Sequence, residues 1–328
     1  MLQGAGHSVV GLDTDLFGGC DFAAAPPLIP ELKKDIRELS PADLAGYDAV
    51  VHLAALSNDP LGNLNGDLTY EINHRASLRL AELAKAAGVG RFVFSSSCST
   101  YGAAGDDFLD ETASVNPVTA YAETKVLLER DLATLADDRF TPTFMRNATA
   151  YGVSPRLRLD VVLNDLVAAA YATGKVYIKS DGTPWRPIVH IRDIIGAMMA
   201  VLDAPREVVH NQTFNVGQTS ENYRISQLAE IVAETVPNCA IEYAPGGGPD
   251  KRCYRVSCDK IRKLLPAFQP QWTARKGAQE LYAAYRQAGL TAAELESGRY
   301  IRIRRIQQLM DTGKLDPSLR WIPQPVLA

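Results

Sequence analysis

Short runs of β-branched and aromatic residues alternate with helix-length segments through the first two-thirds of the chain, and this rhythm limits the fold most. Residues 7–12, 49–53, 91–95 and 142–147 read as strands, and 75–87 and 121–136 as helices. Parallel strands buried on both faces need helices packed on each side, which is what a βαβ rhythm supplies. The expected architecture is α/β, a doubly wound parallel sheet with ligands at the C-terminal edges of its strands. Beyond Gly152 the rhythm loosens into a helix at 160–173, a strand at 176–179 and a Gly- and Pro-rich stretch at 245–249. Residues 188–191 and 213–216 again look like sheet strands. The expected division is a first domain of 1–155 that also receives about 186–217, and a smaller, interleaved lobe of 156–328 with C-terminal helices.

The chain has 328 residues, 46% of them hydrophobic, and a net charge of −4, enough to bury a full core. That balance offers no basic stripe for nucleic acid. The one basic run, 299–305, lies among Tyr300, Ile301, Ile303 and Ile306. It reads as the solvated face of an amphipathic helix, with phosphate or partner binding as the alternative. Five cysteines, an odd number without metal-ligand spacing, argue against a disulfide framework and a zinc site, so a reducing cytoplasm is expected. No apolar stretch approaches the roughly 20 residues needed to span a bilayer, and no membrane partner is expected.

Tyr121 and Lys125 stand four residues apart, on one face of a helix. A nearby cation favours a phenolate, so such a tyrosine can move a proton near neutral pH. The pair is common by chance, and its neighbourhood gives it weight. Residues 91–102 form an apolar strand that runs into Ser95, Ser96, Ser97, Cys98 and Ser99 and ends at Tyr101-Gly102. Together these segments resemble the extended short-chain dehydrogenase/reductase family, its NAD-dependent epimerase/dehydratase branch acting on nucleotide sugars. The resemblance implies a Rossmann-like sheet and a catalytic trio of Ser97, Tyr121 and Lys125. Ser97 would hold the reacting sugar hydroxyl, Tyr121 would exchange its proton, and Lys125 would hold the nicotinamide ribose and lower the tyrosine pKa.

Further marks follow in the family's order. Asp13, after Val9-Val10-Gly11-Leu12, matches the acidic residue that accepts the adenosine ribose hydroxyls and selects NAD over NADP. Asp35-Ile36 matches the adenine-contacting pair, Leu53-Ala54-Ala55 the segment under the cofactor, and Asn73 the asparagine opening the next helix. Ser95 belongs with the cofactor side. The resemblance puts Ser97, Cys98, Ser99, Asn147 and Thr149 along the sugar, and Asn164, Arg186 and Arg252 on the substrate phosphates, with ordinary surface roles the alternative for Asn164 and Arg252. Arginine suits that task because its planar fork grips phosphate oxygens in pairs. His190 reads as a packed strand residue.

Three departures stand out. The family opens with a strand and a Gly-x-x-Gly-x-x-Gly turn that cradles the cofactor pyrophosphate; this chain has none. Residues 2–7 look like the tail of the following helix, with Gly4 and Gly6 as its stop. Roughly 20 residues of a βα unit are missing, which suggests a start codon assigned too late or a truncated chain. The gap is expected between the strands ending at Asp13 and Ser97. Secondly, Cys98 and Ser99 replace the Asp-Glu pair of the 4,6-dehydratases, which disfavours elimination; Cys98 reads as a small buried filler rather than an acid/base. Thirdly, Thr149 replaces an asparagine before Tyr151-Gly152.

The leading expectation is an NAD-dependent nucleotide-sugar epimerase that oxidises and re-reduces the sugar at C4. A 4-keto reductase or a dehydratase is the alternative, and a non-catalytic nucleotide-binding protein the alternative from another class. A homodimer built on the helices starting near Arg75 and Tyr121 is also implied, although Ala81, Ala84 and Ala87 would serve equally in internal packing.

Overall fold

The computed structural model describes residues 1–22, 29–62, 64–245 and 252–323. All of the 245–249 stretch except Pro245, and Asp250 and Lys251 after it, lie outside the described residues.

The strands are β1 (Gly11–Asp13), β2 (Glu31–Lys33), β3 (Ala49–His52), β4 (Arg91–Ser97), β5 (Ala103–Leu109), β6 (Thr141–Asn147) and β7 (Thr149–Tyr151). They continue as β8 (Lys175–Ile178), β9 (Trp185–His190), β10 (Gln212–Val216), β11 (Asn222–Arg224), β12 (Ala240–Tyr243) and β13 (Cys253–Val256). The central sheet is parallel with order β10-β6-β4-β3, and β1 pairs with β2 in a separate parallel sheet. Strand period decides its two faces: Phe92, Phe94 and Phe144 point into one core, and Val93 and Met145 into the other. Helices α1 (Ser77–Ala86) and α2 (Ala120–Ala133) cover the first face with Leu80, Ala81, Ala84, Leu128 and Leu132. Helix α3 (Ile191–Asp203) covers the second with Ile194, Ala197 and Val201. Ala81 and Ala84 are therefore spent on the internal core.

Two expectations need correcting. The first strand is three residues long rather than 7–12, and Val10 is exposed; β1 has a ladder partner on one edge only among the described residues. The strand ending at Ser97 borders no gap, because β4 is paired on both sides, to β3 and β6. The open edges belong instead to β1 and β3. At the start of the chain Gln3–Ala5 forms a short 3-10 turn closed by Gly6 in the left-handed region, φ +90°.

Residues 186–217 divide between sheets. β9 sits in a three-stranded sheet, β11-β9-β7, while β10 joins the central one. The remaining strands pair as β12-β8 and β13-β5. Around β8, Leu163, Leu166, Val176, Ile178, Leu228 and Leu281 form a further hydrophobic core.

The basic run near the C-terminus is not simply a solvated face. In helix α4 (Arg302–Asp311), Arg302 is buried with its guanidinium 3.9 Å from the Phe17 ring centroid. Arg305 donates to the Gly18 carbonyl at 3.0 Å and Arg299 to the Asp21 carbonyl at 2.7 Å. Carbonyls in the loop after β1 give Arg299 and Arg305 partners, so the run is tied to that loop while Arg299 and Arg304 stay exposed. The apolar side buries Ile306 and Leu309 against Leu56, Leu61 and Leu68.

Candidate active site

Helix α2 carries the Tyr-x-x-x-Lys pair. Thr119 caps it, its hydroxyl accepting from the Ala122 N–H at 3.2 Å and donating to Asp59 at 2.6 Å. Residues 121, 125 and 129 then recur at helical spacing on the side facing β4. Lys125 is buried, its Nζ donating to the Ser95 carbonyl at 2.7 Å and lying 4.6 Å from the Phe94 ring centroid and 5.6 Å from that of Tyr121. Burial pulls its pKa down to about 7, against the charge of Glu129. Burial pushes the Tyr121 phenol up, while a hydrogen bond with Ser97 and the charge of Arg158 pull it down. Arg158 is thus a second cation beside the phenol, in addition to Lys125.

At the end of β4 the hydroxyls gather. Ser97 Oγ accepts from the Ser99 N–H at 3.1 Å, capping a short 3-10 turn. Asn147, opposite Ser97 in register, donates from Nδ2 to Ser95 Oγ at 2.9 Å. Its Oδ1 and the Oγ of Ser99, in the turn after β4, are buried without a partner, polar atoms that suit a polar ligand. Thr149 lies opposite Ile188 on the neighbouring sheet. Cys98 stands apart from this group: it is buried in the core, its Sγ donates to the Arg146 carbonyl at 3.1 Å, and burial holds its pKa far above the ordinary thiol range.

Beneath the serines lies a network that sequence reasoning missed. Arg146 and Glu129 are both buried and joined by a 2.7 Å contact from Nη2 to Oε2 plus bonds from Nε at 3.1 Å. Ser96 Oγ donates to Glu129, Arg146 donates to Tyr101 Oη at 3.1 Å, and Tyr101 donates to Asn215 at 2.8 Å. The available signal was an arginine in an apolar strand and a glutamate one turn beyond Lys125. Arg158 was missed too; it donates to Asp160 at 2.7 Å and to Ser57 at 3.2 Å, and its Nη2 is buried without a partner.

On the cofactor side, Asn73 lies in a π-helical turn, Glu71–Ala76, and its buried amide brackets Leu56. Oδ1 accepts from the Leu56 N–H at 2.7 Å and Nδ2 donates to its carbonyl at 3.2 Å, fixing the Leu53-Ala54-Ala55 segment after β3. Leu53 is 58% exposed, whereas Ala54 packs against the core. Ile36 points into the same core, so only its backbone faces outward. Asp13 accepts from the Asp15 N–H at 2.7 Å, and Asp35 is gripped by Arg37, which holds its carboxyl below the ordinary range despite burial. A cleft of about 410 Å³ opens at these strand ends, with Asp35 in its lining.

A dinucleotide fits part of this arrangement. Carboxylates at the ends of β1 and β2 offer acceptors for ribose hydroxyls, and Ser95, which holds Lys125, also holds Asn147 with its unpartnered Oδ1. Between them, no glycine-rich turn leads from a strand into a helix among the described residues.

On the substrate side, Asn164 is committed elsewhere. Its Oδ1 accepts from the Gly152 N–H at 3.0 Å, and Nδ2 donates to the Gly152 and Arg158 carbonyls at 3.3 and 2.9 Å. That clamp holds Gly152 at φ +111°, where a Cβ would strike the His190 ring. In this structure the side chain holds backbone. Arg186 is buried on β9 and donates to the Trp185 carbonyl at 2.8 Å and to that of Arg252. Arg252 pairs with Asp59, the carboxylate that also holds the Thr119 cap. His190 is buried, stacked on Trp272 and 2.8 Å from Glu280.

The chain matches the family model described as "NAD dependent epimerase/dehydratase family" over residues 1–217. The chain belongs to this family. A UDP-glucose 4-epimerase of Rhizobium leguminosarum bv. trifolii is 37% identical over 259 residues, 74% of this chain and 76% of the relative. The uncharacterized UDP-glucose epimerase YtcB of Bacillus subtilis is 30% identical over 291 residues, 84% of this chain and 89% of its own length. Among solved structures, MoeE5 in complex with UDP-glucuronic acid and NAD superposes with a TM-score of 0.75 at 25% identity, covering 88% of this chain and 93% of MoeE5. This member of the family is an enzyme of the NAD-dependent nucleotide-sugar epimerase/dehydratase type, and NAD is its cofactor.

Proposed function

We propose that the enzyme epimerises a nucleoside diphosphate hexose at C4, with Tyr121 as the group that takes and returns the hydroxyl proton. The observation that carries this reading is the meeting of Tyr121, Lys125 and the Ser97 hydroxyl at one strand end, with Cys98 and Ser99 beside them in place of carboxylates. Ser97 orients the C4 hydroxyl toward the phenol. Lys125, tied to the Ser95 carbonyl, keeps its ammonium under the same spot and holds the nicotinamide ribose. Asp13, Asp35, Ile36, Leu53, Ala54, Ala55 and Asn73 form the remainder of the cofactor wall. Asn147, Thr149 and Ser99 line the sugar, and Arg186 and Arg252 flank the diphosphate. Bound NAD supplies the acceptor and donor of the C4 hydride.

Elimination of water needs an acid and a base next to Ser97. Cys98 supplies neither, since its thiol is buried, engaged with a carbonyl and held protonated. The same reading has the enzyme as a homodimer in a reducing cytoplasm; a monomer by light scattering would remove that part of it.

UDP-glucose is the first substrate to test, because relatives at 30% and 37% identity carry that sugar in their names. NAD-loaded protein is incubated with a panel of nucleotide sugars, and products are read by NMR and mass spectrometry. The C4 epimer should appear without accumulation of reduced cofactor. A product lighter by one water, or steady consumption of reduced cofactor, would overturn the proposal.

A further inference from the structure

The cleft at the ends of β1 and β2 has a wall that comes from the far end of the chain. Thr14, Asp15 and Asp35 form one side, and Leu319, Arg320 and Trp321 form the other. Those last three lie well beyond residues 1–217, which carry the family match.

The wall is fixed in place by its own bonds. Leu319 is buried beside Leu309, and Arg37 donates to the Ser318 carbonyl at 2.9 Å. Asp316 accepts from the Arg320 N–H at 2.9 Å, and Leu315 and Trp321 form a β-bridge. Trp321 Nε1 donates to the Thr14 carbonyl at 2.6 Å. Trp321 is nevertheless 44% exposed and lines the cleft. An anchored edge with an uncovered aromatic face is the arrangement that base stacking uses.

Charge narrows the ligand. Lys33 pairs with Asp15 at 2.8 Å, Lys34 with Asp43 at 2.7 Å, and Arg320 with Glu38. Each cation at the cleft is matched by a carboxylate, which leaves acceptors for hydroxyls and no excess charge for a 2′-phosphate. A volume of about 410 Å³ lies at the small end of the roughly 300–1,000 Å³ usual for ligand sites. Parallel α/β sheets take ligands at these strand ends.

We infer that the segment Leu319–Trp321 is the outer wall of the adenosine site, and that the Trp321 ring stacks on the adenine of NAD. This rests on the proposed reading of β1 and β2 as the adenosine end of the cofactor site. It adds a contact from the C-terminal segment, beyond the residues assigned above.

The test is calorimetric titration of the full chain with ADP-ribose, which lacks nicotinamide, and with UDP as a probe of the other half of the site. Trp321→Ala should weaken ADP-ribose roughly tenfold, within the range for losing one base–aromatic stack. Trp321→Phe, which keeps a ring but loses the bond to Thr14, should stay within about threefold of the parent on the same scale. UDP affinity should be the same in all three proteins, which also reports that each is folded. An unchanged affinity in Trp321→Ala, or an equal loss in Trp321→Phe, would overturn the stacking contact alone. A parent protein that binds UDP but not ADP-ribose would overturn the cofactor reading on which it rests.

Discussion

The ammonium of Lys125 donates to the main-chain carbonyl of Ser95 at 2.7 Å, tying the middle of helix α2 to the end of the central strand β4. The bond sets the distance between the Tyr-x-x-x-Lys face and the hydroxyls of Ser95 and Ser97. It also places a cation where water is nearly excluded, which pulls its pKa down to about 7.

That depressed pKa predicts a pH-dependent stability. Between about 7 and the ordinary lysine pKa, the unfolded chain binds a proton at this site that the folded chain has lost, so stability rises with pH across that window. The contribution approaches ~1.4 kcal/mol per pH unit. Urea denaturation of the parent and of Lys125→Met from pH 6 to 10 should show the parent gaining relative to the variant as pH rises. A constant difference would contradict the buried cation.

Glu129 and Arg146 are both about nine-tenths covered and hold Ser96 and Tyr101 between them. Removing one partner strands the other charge, so Glu129→Gln should cost about 3 kcal/mol or more, in the range for breaking a buried pair. Glu129→Leu combined with Arg146→Met should recover part of the loss. Equal losses in the single and double variants, by urea denaturation, would show that the pair is not coupled.

Asn164 makes three bonds to backbone, two of them to Gly152. Asn164→Ala should therefore lower stability by about 1–3 kcal/mol, the cost of buried groups left unpaired. Direct phosphate binding would instead appear as a loss of UDP affinity at unchanged melting temperature.

What could be read from the sequence was local. Tyr121 and Lys125 share a face because helical spacing dictates it, and residues 91–97 announce a buried strand by composition alone. The Glu129–Arg146 pair was hidden because it depends on β6 lying beside β4 in one particular register. The Asn164 clamp was hidden because its partner is the backbone of Gly152, and no spacing rule encodes that contact. The inward turn of Arg302 and Arg305 onto the loop after β1, and the Trp321 wall just over three hundred residues from Thr14, are tertiary facts of the same kind. The expected place of β4 beside a gap was not met, because strand pairing is set by tertiary register; β3 is the edge strand and β4 is interior.

The most direct measurement of C4 chemistry uses a nucleotide sugar carrying deuterium at C4. NAD-loaded enzyme should convert it to the C4 epimer with the deuterium still at C4, because the hydride returns within one closed cycle, and Tyr121→Phe should bind the sugar without converting it. Loss of deuterium to solvent, transfer to free reduced cofactor, or full activity in Tyr121→Phe would contradict the account.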